Sequence, residues 1–190
     1  GVEAQAPPLT LPQPSQAARV EQTVGVTRIA VDYHRPLVRE RELWGALVPY
    51  DQVWRAGANE NTVVTLSTPA TVEGRTLAAG SYGLHMVPTA GRWTVAFSKM
   101  DAAWGSFSYD AAEDALRVEV EPLAAPHEEA LAYTFDDPSG TSVTLSLRWG
   151  ELRVPIRIEV DTPELVYQSL TRELRGLGRF FWQPWNQAAG

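Results

Sequence analysis

Alternation of apolar and polar residues at every second position is the feature that most limits how this chain can fold. Several segments show it, with apolar positions at Ile29, Val31, Tyr33, Tyr82, Leu84, Met86, Trp93, Val95, Phe97, Leu116, Val118, Leu131, Tyr133, Val143, Leu145, Leu147, Trp149, Val154, Ile156 and Ile158. Such alternation predicts strands with one face in a core and the other facing out.

Short stretches that contain glycine separate these segments. They are VEGRTL, LAAGSY, PTAGRW, DDPSGT and RWGELR. Each places a glycine where a tight reversal needs a positive φ or a type I or II turn. Because no helical pattern lies between the segments, we predict an all-β chain that forms an antiparallel β-sandwich, jelly-roll-like, with a C-terminal helix. The order of the strands is left open.

The chain divides into three parts by composition. Residues 1–16 are rich in Pro, Ala and Gln and are predicted to be a flexible leader that follows a removed signal peptide. Ala4-Gln5-Ala6 matches the A-x-A pattern of a signal-peptidase site, so we expect a bacterial protein exported to the periplasm or the cell exterior. Residues 17–161 form the predicted sandwich, and residues 162–190 form a C-terminal helical appendage whose full extent is left open.

The C-terminal appendage begins with helix signals and ends with aromatic residues. Thr162 is predicted as the N-cap and Pro163 as the first helical residue. The aromatic residues of the tail are Phe180, Phe181, Trp182 and Trp185. The favoured interpretation is that they pack back on the sandwich. The alternative is that they contact a partner protein, as in a scaffold of the cell envelope.

Charge and composition exclude several functions. The net charge is −7 and the positive residues are scattered, which argues against a nucleic-acid partner. No apolar run approaches the roughly 20 residues of a membrane span. The absence of cysteine excludes disulfides, thiolate catalysis and metal sites with cysteine ligands.

The run VWRAGANENT, residues 53–62, gathers many polar groups beside a flexible glycine. The candidate ligand-binding residues, from this run and from other parts of the chain, are Arg35, Arg41, Trp54, Arg55, Asn59, Glu60 and Trp104. If Glu60 holds Arg55 or Arg41, the run is a structural corner, which is the favoured interpretation. If the guanidinium groups are free, they form a site for an anion or a sugar acid.

Two of the three histidines point away from the predicted core. His34 follows Tyr33, and His85 lies between Leu84 and Met86. They could converge on one face with Glu60 or Asp32 as a metal site or a general-base pair, although no local metal motif is present. The favoured interpretation is two half-buried histidines bonded to nearby backbone, so no cofactor is assigned and a divalent metal remains the alternative. His127 is predicted to be a solvated loop residue.

Longer stretches of the chain resemble a bacterial family of exported proteins catalogued as domain of unknown function 2911. They include RELWGALVPYDQVWRAGANENT, LAAGSYGLHMVP, WGSFSYD and LRWGELRVPI, within residues 24–160, and the pattern WRxGANExT is the specific part of the match. The resemblance implies a β-sandwich, export and often a C-terminal helical extension, but it supplies no catalytic residues. Glu40 departs from the family pattern, in which a glycine is usual.

Together these features predict that the chain binds a small molecule, a carbohydrate or a partner protein through the WRxGANE loop. One alternative is a metal- or histidine-assisted hydrolase that uses His34, His85 and Glu60. Another is an envelope scaffold that contacts partners through its aromatic tail. The sequence contains no GxSxG motif, phosphate-binding loop or dinucleotide fingerprint.

Overall fold

A computed structural model describes residues 12–175 and 181–188 of the chain. The strands are β1 (Gln16–Val24), β2 (Thr27–Arg35), β3 (Thr62–Leu66), β4 (Ala70–Val72), β5 (Arg75–Leu77), β6 (Gly80–Val87), β7 (Trp93–Ser98), β8 (Asp114–Val120), β9 (Leu123–Asp136) and β10 (Ser142–Glu159). A short 3-10 helix, Ala111–Glu113, precedes β8. Two α-helices follow the strands: α1 (Thr162–Glu173) and α2 (Trp182–Ala188).

The strands form two antiparallel sheets. One has six strands in the order β1-β2-β3-β6-β7-β8, and the other has four in the order β5-β4-β10-β9. Most strands pair with a strand that is adjacent in sequence, and short turns join β1 to β2, β4 to β5, β6 to β7 and β9 to β10. The exceptions are the pairing of β3 with β6 and that of β10 with β4. The predicted all-β sandwich with a C-terminal helix is therefore confirmed.

The alternating apolar positions fill the space between the two sheets. Val31, Leu84 and Phe97 of the six-stranded sheet are fully buried, as are Leu145 and Ile156 of the four-stranded sheet. Burial of each such side chain stabilises the fold by about 1.5–3 kcal/mol. The alternation therefore identified the core-facing side of each strand correctly.

The four-stranded sheet departs from the prediction in the length of its last two strands. RWGELR is not a turn: it lies inside β10, which continues through Gly150. Gly150 has a φ of 59° and marks a shift in the pairing of β10 with β9. A bulge of this kind bends a strand without ending it, and a local sequence pattern does not distinguish it from a reversal. His127, predicted in a loop, lies in β9, where it is exposed and pairs with Glu129.

The start of α1 differs by one residue from the prediction. Asp161, not Thr162, is the N-cap, and its side chain accepts a hydrogen bond from the backbone N–H of Glu164. The Thr162 hydroxyl instead donates to the carbonyl of Gly140, in the connection between β9 and β10. Asp and Thr both cap helices well, so the sequence alone did not separate them.

The aromatic tail is exposed where the structure describes it. Phe181, Trp182 and Trp185 each expose half or more of their surface, contrary to the expectation that they pack back on the sandwich. Phe180 lies outside the described residues. In the described ranges, neither α-helix has the length and apolar character needed to cross a membrane.

We predict that replacing Gly150 with alanine lowers the free energy of unfolding by about 3 kcal/mol. The positive φ costs a side chain about 1–2 kcal/mol, and the new Cβ would lie 2.8 Å from Cδ1 of the buried Leu43. Urea unfolding of the Gly150→Ala protein measures this loss.

Gly74 provides the matched control. Its φ is 77°, but a Cβ there meets nothing within 4 Å. Gly74→Ala should therefore cost only the backbone strain, about 1 kcal/mol. Equal losses of unfolding free energy in the two variants would show that the close approach of Leu43 does not require a glycine at position 150.

Candidate functional site

The run VWRAGANENT forms a loop that touches both sheets. We call residues 53–61 the signature loop. Its start pairs with the end of β6, where Trp54 and Met86 exchange two backbone hydrogen bonds of 2.8 Å. Its middle contacts β9, because the Tyr133 hydroxyl donates to the Ala56 carbonyl at 2.8 Å. The loop thus closes one edge of the sandwich.

The backbone of the signature loop explains several of its residue types. Ala56 and Asn59 have φ values of 50° and 57°, so both are left-handed. A Cβ on Gly57 would lie 2.6 Å from the Thr62 hydroxyl, which itself donates to the Ala56 carbonyl. Glycine is required at that close approach. Much of the run therefore has a structural role in turning the chain.

Four tryptophans pack together behind the loop. Trp44 lies edge-on to Trp54, Trp93 and Trp149, with ring centres 5.8, 4.8 and 5.8 Å away. Trp54 also stacks on Trp149 at 5.9 Å. We call these four residues the tryptophan cluster. Aromatic pairs at such distances stabilise a fold beyond their buried area, so the position of Trp54 is strongly fixed.

Asn59 ties the segment before β1 to the signature loop. Its amide donates to the side-chain oxygen of Gln13 at 2.9 Å and to the Ser15 carbonyl at 3.0 Å. Within the predicted leader, residues 12–16 are thus described and contact the sandwich, and residues 1–11 lie outside the described part. Asn59 acts here as a structural residue.

Arg35 and Arg41 also serve the backbone. Arg35 donates to the carbonyls of Leu131 and Ala130 in β9. Arg41 donates to the carbonyls of Val38 and Leu37, within its own loop. Both guanidinium groups brace the edge of the sandwich, although Arg41 also lines a cleft described below. The adjacent Glu40 has a φ of 56°, a left-handed conformation that glycine adopts more readily than glutamate.

Arg55 differs from these braces. Its guanidinium lies 5.6 Å from the ring centre of the exposed Trp104. Among the described residues it has neither a carboxylate nor a carbonyl partner, and its Nε is buried without an acceptor. Burial lowers the pKa of Arg55 below its usual value, but an arginine remains charged at neutral pH. The loop therefore presents a positive charge that the described protein leaves uncompensated.

Glu60 pairs with His34 instead of with an arginine. His34 Nε2 lies 3.3 Å from Glu60 Oε2, and Nδ1 of the same ring is buried without a partner in the described residues. Asp32 pairs with Arg19 on the exposed side of β1. The ion pair of Glu60 with Arg55 or Arg41, on which the favoured interpretation of the run depended, is therefore absent from the described residues.

The two histidines lie in one row across the six-stranded sheet. Continuing the pairing of β2 with β3 and of β3 with β6 places Asn61 between His34 and His85. Strands are about 4.8 Å apart, so the two histidine backbones are roughly 10 Å apart. They share a face, but their side chains have different partners. In the described ranges, no group of three or more His, Asp or Glu side chains is placed to hold a metal ion.

His85 is buried beneath the segment that joins β7 to β8. We call residues 99–113 the covering loop. Its Ser106 hydroxyl lies 2.8 Å from His85 Nδ1, and Tyr109 packs against the imidazole with ring centres 4.8 Å apart. Tyr109 in turn donates to Asp114, which also pairs with Arg117. Only 3% of His85 is exposed, and this burial lowers its pKa to about 4, while the Asp114 charge opposes the shift.

A cleft lies beside the signature loop, and we call it the arginine cleft. It has a volume of about 330 Å³ and is lined by Pro14, Ser15, Pro36, Leu37, Arg39, Arg41, Leu47, Val48, Trp54, Arg55, Gly57, Ala58 and Trp149. All of its charged lining residues are arginines. Trp149 is 1% exposed, and its Nε1 donor has no acceptor among the described residues.

The sequence identified part of this cleft and missed part. Arg41, Trp54 and Arg55 were candidates, and they line it. Arg35, Glu60 and Trp104 do not, and Asn59 reaches it only through Ser15. Arg39 was missed because nothing local distinguishes it from other exposed arginines. Trp149 was correctly assigned to the core from its place in the alternating pattern, but that pattern does not indicate that the residue also lines a cleft.

We predict that Tyr133→Phe lowers the free energy of unfolding by about 1 kcal/mol, the net worth of one hydrogen bond. The hydroxyl is buried and donates to the Ala56 carbonyl, so its loss loosens the signature loop. Chemical denaturation measures the change. Tyr33 packs edge-on against the same ring, and its hydroxyl makes no hydrogen bond within the described residues, so Tyr33→Phe should change stability little. Equal losses of stability in Tyr133→Phe and Tyr33→Phe would contradict a stabilising role for the hydrogen bond from Tyr133 to the Ala56 carbonyl.

We predict that His85 titrates with a midpoint near pH 4 in the folded protein. Its folded pKa lies below the unfolded value of about 6.5, so protons favour the unfolded chain between these values. Neutral His85 therefore contributes to the free energy of unfolding in full above about pH 6.5. This contribution is lost as the pH falls toward 4, and the free energy of unfolding drops by about 3 kcal/mol in total.

A histidine ring-proton NMR titration measures the midpoint directly, and His85→Gln assigns the resonance by its disappearance. Urea unfolding at pH 7 and pH 4.5 should show a steeper loss in the natural protein than in this variant. A His85 midpoint near its usual value would contradict the described burial.

The chain was compared with known proteins. No curated protein and no solved structure matches it. The model of one protein family, described as protein of unknown function (DUF2911), matches residues 15–158, which include both sheets and the signature loop. On this match, the chain belongs to the DUF2911 family.

Proposed function

We propose that this protein binds a small molecule carrying a carboxylate, such as a sugar acid, in the arginine cleft. The observation that carries the proposal is Arg55, a partly buried guanidinium with no anionic partner among the described residues. A buried charge is costly without a counter-charge, so a bound carboxylate would provide the anionic partner that Arg55 lacks among the described residues.

The composition of the cleft supports this choice of ligand. Arg39, Arg41 and Arg55 line it without a carboxylate, although the whole chain carries a net charge of −7. A local excess of positive charge on an acidic protein favours an anion. The volume of about 330 Å³ is within the range of small-molecule sites.

Two further features favour a sugar-like anion over a bare inorganic ion. The Trp54 ring lines the cleft and is held by the tryptophan cluster, so it offers a rigid apolar surface on which a sugar ring can pack. Trp149 also lines the cleft and stacks on Trp54 at 5.9 Å, which extends this apolar surface. Export to the periplasm or the cell exterior remains part of the proposal.

We predict that D-glucuronate binds and that D-glucose, its neutral counterpart, binds much more weakly, as measured by isothermal titration calorimetry. Arg55→Met should weaken glucuronate binding about 10- to 100-fold, the worth of one charge-assisted hydrogen bond. Its melting temperature should change little, because the guanidinium braces no described carbonyl or carboxylate.

Arg35→Met provides the opposite control. Arg35 bonds the β9 backbone and does not line the cleft, so this variant should lose stability and keep its affinity for glucuronate. Equal heats for glucuronate and glucose would overturn the proposal. So would a large loss of stability in Arg55→Met with unchanged binding.

A further inference from the structure

A second cleft lies on the other side of Arg55. It has a volume of about 430 Å³ and is lined by Gln52, Val53, Trp54, Arg55, Ser106 and Phe107. We call it the serine cleft. Its lining contains no acidic residue, and Arg55 is a wall of both clefts. A Cβ added to Gly105 would lie 3.1 Å from Arg55 Nη1, so the guanidinium packs against the backbone just before Ser106.

The Ser106 side chain connects this cleft to the buried His85. The hydroxyl oxygen lies 2.8 Å from His85 Nδ1, which is within hydrogen-bond distance. Ser106 is half-buried and lines the cleft, whereas His85 lies beneath it on β6. A ligand in the cleft would therefore lie against Ser106, with the His85 imidazole on the far side of the serine. This is the arrangement of a nucleophile with a general base behind it.

The environment of His85 provides a neutral proton acceptor, and its burial makes the imidazole a weaker base than a free one. Its burial keeps the ring neutral at neutral pH, so Nδ1 can accept a proton when the hydrogen of the neutral ring is on Nε2. The Asp114 carboxylate, held by Tyr109 and Arg117, lies close enough to favour the protonated ring. A charge that forms on His85 during a reaction would therefore be partly compensated.

We propose that Ser106 and His85 form a nucleophile–base pair that hydrolyses carboxylic esters bearing a second, free carboxylate, which Arg55 binds. The Ser106 oxygen attacks the ester carbonyl while its proton moves to His85 Nδ1. The C–O bond to the alcohol breaks, and the alcohol leaves with that proton. Water then attacks the acyl-serine, and again gives a proton to His85, which returns it to Ser106 as the acid is released.

This inference rests on the proposed function for the charge of its substrate but not for its chemistry. The catalytic pair depends on the contact of Ser106 with His85. The preference for an anion depends on Arg55. The two can therefore fail separately.

The first experiment is labelling of the folded protein with diisopropyl fluorophosphate, followed by peptide mass spectrometry. We expect a phosphoryl adduct on Ser106 in the natural protein. Ser106→Ala should abolish it, and Ser108→Ala, an exposed serine on the same loop, should leave it unchanged. Absence of label on Ser106 in the natural protein would overturn the proposal.

The second experiment follows hydrolysis of two esters of equal chain length, mono-4-nitrophenyl adipate and 4-nitrophenyl hexanoate. Ser106→Ala should reduce hydrolysis of both to the buffer rate, and His85→Gln should reduce it by about 10²- to 10⁴-fold. Arg55→Met should slow the adipate ester selectively. Hydrolysis that survives in Ser106→Ala would overturn the catalytic pair, and equal rates for the two esters would overturn the assigned substrate class.

Glucuronate titration of the Ser106→Ala protein separates this inference from the proposed function. Binding should persist, because Ser106 does not line the arginine cleft. Labelling of Ser106 without any glucuronate binding would support the Ser106–His85 pair and contradict the proposed carboxylate site in the arginine cleft.

Discussion

The packing of four indole rings at one edge of the sandwich determines where the chemistry of this protein can be. Trp44, Trp93 and Trp149 come from a loop and from both sheets, and together they hold Trp54. Because the Trp54 ring is packed, the backbone of the next residue, Arg55, is held at the edge of the sandwich. Its guanidinium extends from there toward the exposed Trp104 ring.

The alternation of apolar and polar residues predicted the fold well, because the side of a strand that a residue faces follows from its immediate neighbours in sequence. It placed Trp93 and Trp149 in the core and turned His34 and His85 to the other face, and the structure agrees. It did not predict that Asn61 separates the two histidines, because that depends on register between strands distant in sequence. Gly150 was interpreted as a turn for a similar reason: a bulge and a reversal both use a left-handed residue.

The candidate site was harder to predict, because identical residue types have different roles there. Arg35, Arg41 and Arg55 look alike in the sequence, yet two of them bond backbone carbonyls and one has no acceptor in the described structure. Only the tertiary arrangement distinguishes a brace from a free cation. Ser106 was missed because its partner comes from β6, and no short motif joins a serine to a histidine that precedes it by a whole hairpin.

The pairing of β10 with β4 has a consequence for how the chain reaches its native state. β4 and β10 come from opposite halves of the sequence, and Ile158 pairs with Val72. Closing so long a loop is entropically costly and slow, whereas the β1–β2 and β6–β7 hairpins form from nearby residues. The hairpins of the six-stranded sheet can therefore form early, whereas β4 gains its partner only when β10 pairs with it. Until β10 is in place, the apolar face of the six-stranded sheet is uncovered, and the chain must complete its fold faster than it aggregates.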